Sequence, residues 1–203
     1  MSNWSYLTIE KPSEGFFKNK GSRFISFIFP VSDENEVKKN LENLKNKYHD
    51  ARHHCYAYRI GINGDYYRMN DDGEPSGTGG KPIYGQIISK QLTNVLIVVI
   101  RYFGGILLGT GGLIQAYKAA ASNCIDNAII IKKELTLTLN LQFNYDKMNE
   151  VMKIMKEEQI ENAEYNLGTD CKISFEISLN ARAYFEEKFT LISDINLSFK
   201  EKN

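Results

Sequence analysis

A chain of 203 residues, 42% of them hydrophobic and 25% charged, has the composition of a globular protein and not of a disordered one. It is long enough for one large domain or two small ones. The net charge of zero hides an asymmetry: residues 1–133 hold 17 Lys and Arg against 12 Asp and Glu, and residues 134–203 hold 8 against 13. A balance of +5 thus gives way to −5 near residue 133, which marks a boundary and points to different partners for the two halves. The longest apolar run, residues 95–100, is far shorter than the roughly 20 residues that span a bilayer. Residues 1–10 have no signal-peptide pattern, so a cytoplasmic protein is expected. Cys55, Cys124 and Cys171 form no CxxC pair and fit buried packing in a reducing compartment.

In chain order, residues 6–10 and 23–29 read as a hairpin, the second strand ended by Pro30. Asp33, three residues before Glu36, predicts a capped helix with Val37, Leu41, Leu44 and Tyr48 at helical spacing. Residues 54–61 and 65–69 read as strands turned at Asn63-Gly64, a dipeptide that tolerates positive φ at both positions. A loop with four glycines and one proline follows over 70–81, then a short helix over 82–92. The continuous run 95–100 predicts a fully buried central strand. After a second glycine-rich stretch, Thr110 is placed to cap a helix with Leu113, Ile114, Tyr117, Ala120, Ala121 and Cys124 inward.

Beyond residue 133, Leu135, Leu137, Leu139 and Leu141 alternate with polar residues, as in a half-buried strand. A helix over 146–158 turns Met148, Val151, Met152 and Met155 inward. Strands over 160–166 and 171–179, a helix over 180–191 carrying Ala183, Tyr184 and Phe189, and a strand over 195–199 complete a β-α-β-β-α-β order, the ferredoxin-like split unit.

The chemistry concentrates in two loops. In DDGEPSGTGGK, Asp71, Asp72 and Glu74 stand beside permissive glycines, with Ser76, Thr78 and Lys81 adding donors. Grouped carboxylates hold a hard cation such as Mg²⁺ when a phosphate completes its shell; the plainer reading is an acidic turn bonded to its own backbone. In RYFGGILLGTGG, the amides of Gly111, Gly112 and Leu113 at a helix start favour an anion, and Arg101 offers a guanidinium fork. Gly104 and Gly109 have GxxxxG spacing, but Thr110 stands where a Walker A lysine belongs, and no GxGxxG run exists. His53, Cys55 and Arg59 share a strand face, a Cys–His pair without an orienting third group. His49, His53 and His54 lack the ligands that would complete a zinc site.

The strings ARHHCYAYRIG, DDGEPSGTGGKPI and RYFGGILLGTGGLIQAY, preceded by Lys20-Gly21-Ser22-Arg23-Phe24, resemble the ordered signature blocks of the bacterial YigZ and eukaryotic IMPACT proteins. The resemblance covers residues 1 to about 130, and the tail is similar to the smaller domain that bacterial members carry. It implies an α+β protein. The first domain would have the fold of the second domain of ribosomal protein S-five, a mixed or antiparallel sheet with helices on one face. The second would be a ferredoxin-like domain similar to one in elongation factor G. It also implies a translational setting, since eukaryotic relatives compete for the activator of a stress-responsive initiation-factor kinase; no enzymatic activity is firmly tied to the family, and no cofactor is expected. Leu107 stands where the family commonly has Lys and Gln115 where it has Arg, which weakens any phosphate grip here.

The expected function is a non-catalytic regulator that binds the ribosome, RNA or a translation-related protein through the glycine-loop surface. That surface comprises His53, Arg59, Asp71, Asp72, Glu74, Ser76, Thr78, Lys81, Arg101, Tyr102, Gly104, Gly105, Gly109, Thr110, Gly111 and Gly112. Tyr66, Tyr67 and Tyr102 offer stacking faces for RNA, or cross-strand packing. One alternative is an enzyme acting with Mg²⁺ on a small phosphorylated or nucleotide ligand. Another is a protein adaptor whose acidic second half favours a basic partner.

Overall fold

The computed structural model describes residues 4–201, which form two compact units: Tyr6–Lys133, and residues 134–201 with Trp4 and Ser5. Among the described residues no helix is long and apolar enough to cross a membrane.

In the first unit, β1 (Ser5–Ile9) pairs with β7 (Ile130–Glu134) in a two-stranded sheet. A five-stranded antiparallel sheet has the order β2-β3-β6-β4-β5, from β2 (Ser13–Asn19), β3 (Ser22–Pro30), β4 (His53–Ile60), β5 (Tyr66–Asn70) and β6 (Val95–Tyr102). The hairpin partner of β3 is therefore β2 and not the segment at 6–10. The missed strand SEGFFKN alternates imperfectly and holds a glycine, which hid it. Gly15 has a physical reason: a Cβ there would lie 2.4 Å from the Cys124 backbone nitrogen.

Residues 95–100 occupy the centre of the sheet and are fully buried. Val95, Ile97 and Val99 pack with Phe24, Ile28 and Cys55 beneath α2 (Gly80–Ser89) and α3 (Gly109–Asp126). Leu96, Val98 and Ile100 pack on the other face with Phe27, Tyr58 and the Val37 and Leu44 of α1 (Glu34–Lys47). The expectation of helices on one face is thus corrected: a strand apolar at every position needs cover on both sides. Asp33 caps α1, its Oδ1 accepting the Asn35 and Glu36 amides at 2.7 and 2.9 Å, while the Glu36 carboxylate accepts the Ser32 N–H at 2.7 Å. Ile114 is 41% exposed, and the buried face of α3 takes in Ala116 and Ile125 in its place, beside Leu113, Tyr117, Ala120, Ala121 and Cys124.

The second unit runs β8 (Thr136–Asn144), α4 (Met148–Glu157), β9 (Ala163–Asn166), β10 (Asp170–Ser178), α5 (Arg182–Thr190) and β11 (Ile195–Glu201), a β-α-β-β-α-β order. The sheet is antiparallel with order β11-β8-β10-β9. Leu137, Leu139, Leu141 and Phe143 face a core with Val151, Met155, Phe185 and Phe189. Met152, expected inward, is exposed, as is Tyr184 on α5, because each helix buries only a narrow stripe.

Candidate functional site

The first glycine-rich loop is organised by its own aspartate. The Asp71 carboxylate accepts the amides of Gly77, Gly79 and Gly80 at 2.8, 2.8 and 2.9 Å, closing the loop into α2. Burial alone would raise the Asp71 pKa, but the three amides together outweigh it and hold the carboxyl below its usual range. For Asp71 the plainer reading therefore holds, an acidic turn bonded to its own backbone. Asp72 turns elsewhere, its Oδ2 accepting the His54 N–H at 2.6 Å, with its carbonyl 2.8 Å from His53 Nδ1. Thr78 is buried and donates to the Pro75 carbonyl, whereas Ser76 and Lys81 are exposed.

Glu74 points to a third place. Its Oε1 accepts Arg101 Nη1 at 2.5 Å and the Tyr117 hydroxyl at 2.9 Å, and lies 3.9 Å from His53 Nε2. The three carboxylates therefore diverge to separate partners, and among the described residues no group of three His, Cys, Asp or Glu could hold a metal ion. The grouped-carboxylate reading with Mg²⁺ has no ligand set here. Arg101, expected to grip a ligand, is 5% exposed, paired with Glu74 and flanked by the rings of Phe24 and Phe103 at 5.6 Å each. Its charge is answered inside the domain.

The second loop is locked to the opening block of the chain. A Cβ on Gly104 would lie 1.9 Å from the Gly21 carbonyl carbon, so only glycine permits this crossing; the Gly104 N–H reaches Ser22 Oγ at 3.2 Å. Gly109, at φ +69°, turns the loop into α3. Thr110 lies within the helix and makes no cap; Leu108 occupies the cap position without a side-chain bond. Between the loops lies a cavity of about 420 Å³, lined by His53, Glu74, Arg101, Phe103, Gly109 and Thr110 together with Arg52, Pro75, Leu107 and Leu113. Two of its lining residues are exposed and apolar, Phe103 at 46% and Leu107 at 83%, and Ile106 next to Leu107 is 54% exposed; Arg52 and Thr110 are exposed polar residues of the same lining.

Of the expected site residues, the cavity gathers His53, Glu74, Arg101, Gly109 and Thr110, while Gly111 and Gly112 continue the helix and Gly105 the exposed loop. Arg59 does not line it and instead braces the β4–β5 turn through the Leu92 and Asn63 carbonyls. Tyr102 donates to Asp50 at 2.7 Å, with Arg23 over its ring. Tyr66 and Tyr67 are exposed on the edge strand, Tyr67 stacked on Tyr84. Cys55 is fully buried, donates to the Asp71 carbonyl at 3.0 Å, and has its pKa pushed up by burial, which removes it as a nucleophile beside His53. Tyr117 was missed as a site residue; a tyrosine in the alanine-rich stretch of a helix is the signal that could have found it.

The Impact N-terminal domain model matches residues 20–125. The chain is 33% identical over 197 residues to IMPACT family member YvyE of Bacillus subtilis, covering 97% of this chain and 91% of that one. It is 34% identical over 138 residues to IMPACT family member YigZ of Escherichia coli, covering 67% and 68%. Protein IMPACT of Rattus norvegicus is 34% identical over 123 residues, covering 58% and 36%. A crystal structure of a hypothetical protein aligns over 100% of this chain and 99% of its own, with a TM-score of 0.73 and 26% identity.

Proposed function

The chain belongs to the IMPACT family, and on that premise we propose that it is a non-catalytic regulator associated with translation, which seats a protein partner on the loop surface of residues 6–133. One observation carries the choice of a protein over RNA. The Arg101 guanidinium is spent on Glu74, which leaves Arg52 as the exposed guanidinium of the cavity lining, while Phe103, Ile106 and Leu107 stand out as an apolar patch beside it. A phosphate backbone is held by available cations, whereas an exposed apolar patch beside a cavity suits a side-chain anchor from a protein. Leu107 in the position of the family's common lysine moves the surface the same way.

The setting in translation is what the family resemblance implies, and the proposed place of action is the cytoplasm. The strand order β11-β8-β10-β9 supports a ferredoxin-like reading of the second unit, similar to a domain of elongation factor G. The first unit is read as related to the second domain of ribosomal protein S-five.

The test is affinity capture from lysate with and without RNase, comparing the native chain with an Ile106→Asp/Leu107→Asp variant. The proposal expects a ribosomal or translation-factor protein that survives RNase and is lost from the variant. An RNase-sensitive capture, or one that the variant leaves unchanged, overturns it.

A further inference from the structure

The second unit has a cavity of about 580 Å³ along β10, lined by four glutamates and by no lysine or arginine. We propose that this notch receives an extended, lysine- or arginine-bearing segment of a partner protein, added as a strand beside the end of β10.

Three features of the notch converge. β9 is short, and its register with β10 ends at the pair Phe175–Ala163, while β10 continues along β8 to Ser178. Ile177 and Ser178 thus run past the start of β9, where the chain from Ile160 to Asn162 leaves the sheet. Such a sheet edge offers main-chain donors and acceptors to an incoming strand. The two sides of the notch differ in chemistry. On the helix side it meets Ile160, Ile177, Ala181 and Phe185. On the open side of the sheet, Ser174 pairs with Glu164, so that this carboxylate lies on the polar face. An added strand alternates its side chains between those two sides, so apolar residues would meet the first and basic residues the second.

Charge names the occupant. Glu158 is answered by Lys188 and Tyr184, but Glu161 and Glu164 are both exposed on the rim. The whole of residues 134–203 carries a balance of −5, a field that draws basic segments in and repels a phosphate backbone.

The test uses the full chain and a short fluorescent peptide alternating lysine and valine, read by anisotropy. Controls are a scrambled peptide of the same composition and a copy methylated on alternate backbone nitrogens. The proposal expects saturable binding that weakens about tenfold or more in Glu161→Lys/Glu164→Lys, and as strongly with the methylated peptide. A thermal melt checks that the variant stays folded. Equal binding of the scrambled or methylated peptide would reduce the effect to general charge attraction and overturn the proposal. So would tighter binding of single-stranded RNA than of the peptide.

Discussion

Arg101 Nη1 and Glu74 Oε1 meet at 2.5 Å, with only 6% and 4% of their side chains exposed. Twenty-seven residues apart in sequence, they tie the first glycine-rich loop to the strand end from which the second departs. Removing one member of a buried ion pair leaves the other charge without compensation, which costs about 3–5 kcal/mol. Arg101→Met and Glu74→Gln are each expected to lower urea unfolding stability by about that much. The double variant Glu74→Leu/Arg101→Met should recover part of it, because two apolar groups leave no charge stranded and only the Tyr117 hydroxyl loses its acceptor. Single variants within about 1 kcal/mol of the native chain would show that the pair does not hold the loops.

This pair also shows how far the residues alone could be read. The apolar run at 95–100, the Asp33 cap and the β-α-β-β-α-β alternation are local patterns, and each is legible because period and capping chemistry act over a few residues. The fate of the charges is not local. Arg101, Asp71, Asp72 and Glu74 all looked available to a ligand, yet each has its partner across a loop or on another strand. The same limit explains β2, where the glycine at position 15 is required by the α3 backbone at Asn123 and Cys124, far away in the sequence.

Asp71 replaces an outside ligand for its loop, and its loss should be felt in stability and in pH dependence. Asp71→Ala leaves the amides of Gly77, Gly79 and Gly80 without their acceptor, a cost of about 2–3 kcal/mol in urea unfolding. The folded pKa lies below the unfolded one, so the stabilisation is complete above about pH 4 and is lost as pH falls through the folded value. Asp71→Asn should therefore show a shallower loss of stability on acidification than the native chain. Identical acid limbs for the two proteins would remove Asp71 from this role.

Gly104 and Gly111 look alike in the sequence and differ in the fold. An alanine at 104 drives its methyl group into the Gly21 backbone, whereas one at 111 meets nothing within 4 Å and has an ordinary helical φ. Gly104→Ala is expected to destabilise the chain by about 2 kcal/mol or more, since backbone gives way poorly. Gly111→Ala should stabilise α3 by about 1 kcal/mol through helix propensity alone. The two melts therefore move in opposite directions. A loss of partner capture in the more stable Gly111→Ala chain would show that the partner approaches the bare helix start.

His54 supplies a further pH dependence. It is 6% exposed, its Nδ1 is 3.8 Å from Asp72 Oδ2, and its Nε2 has no hydrogen-bond partner. Burial lowers its pKa; the Asp72 carboxylate and the Tyr48 backbone oppose that shift and do not overcome it, while Lys45 and His53 add to it. Below about pH 6.5 the unfolded chain takes up a proton that the folded chain resists. The unfolded state then binds more protons, and stability falls as pH drops from that point through the folded value. His54→Phe keeps an aromatic ring in the site and removes the titration, so its stability should decline less between about pH 6.5 and 5. A native chain that gained stability over that window relative to His54→Phe would mean that Asp72 holds the imidazole charged, reversing the assignment.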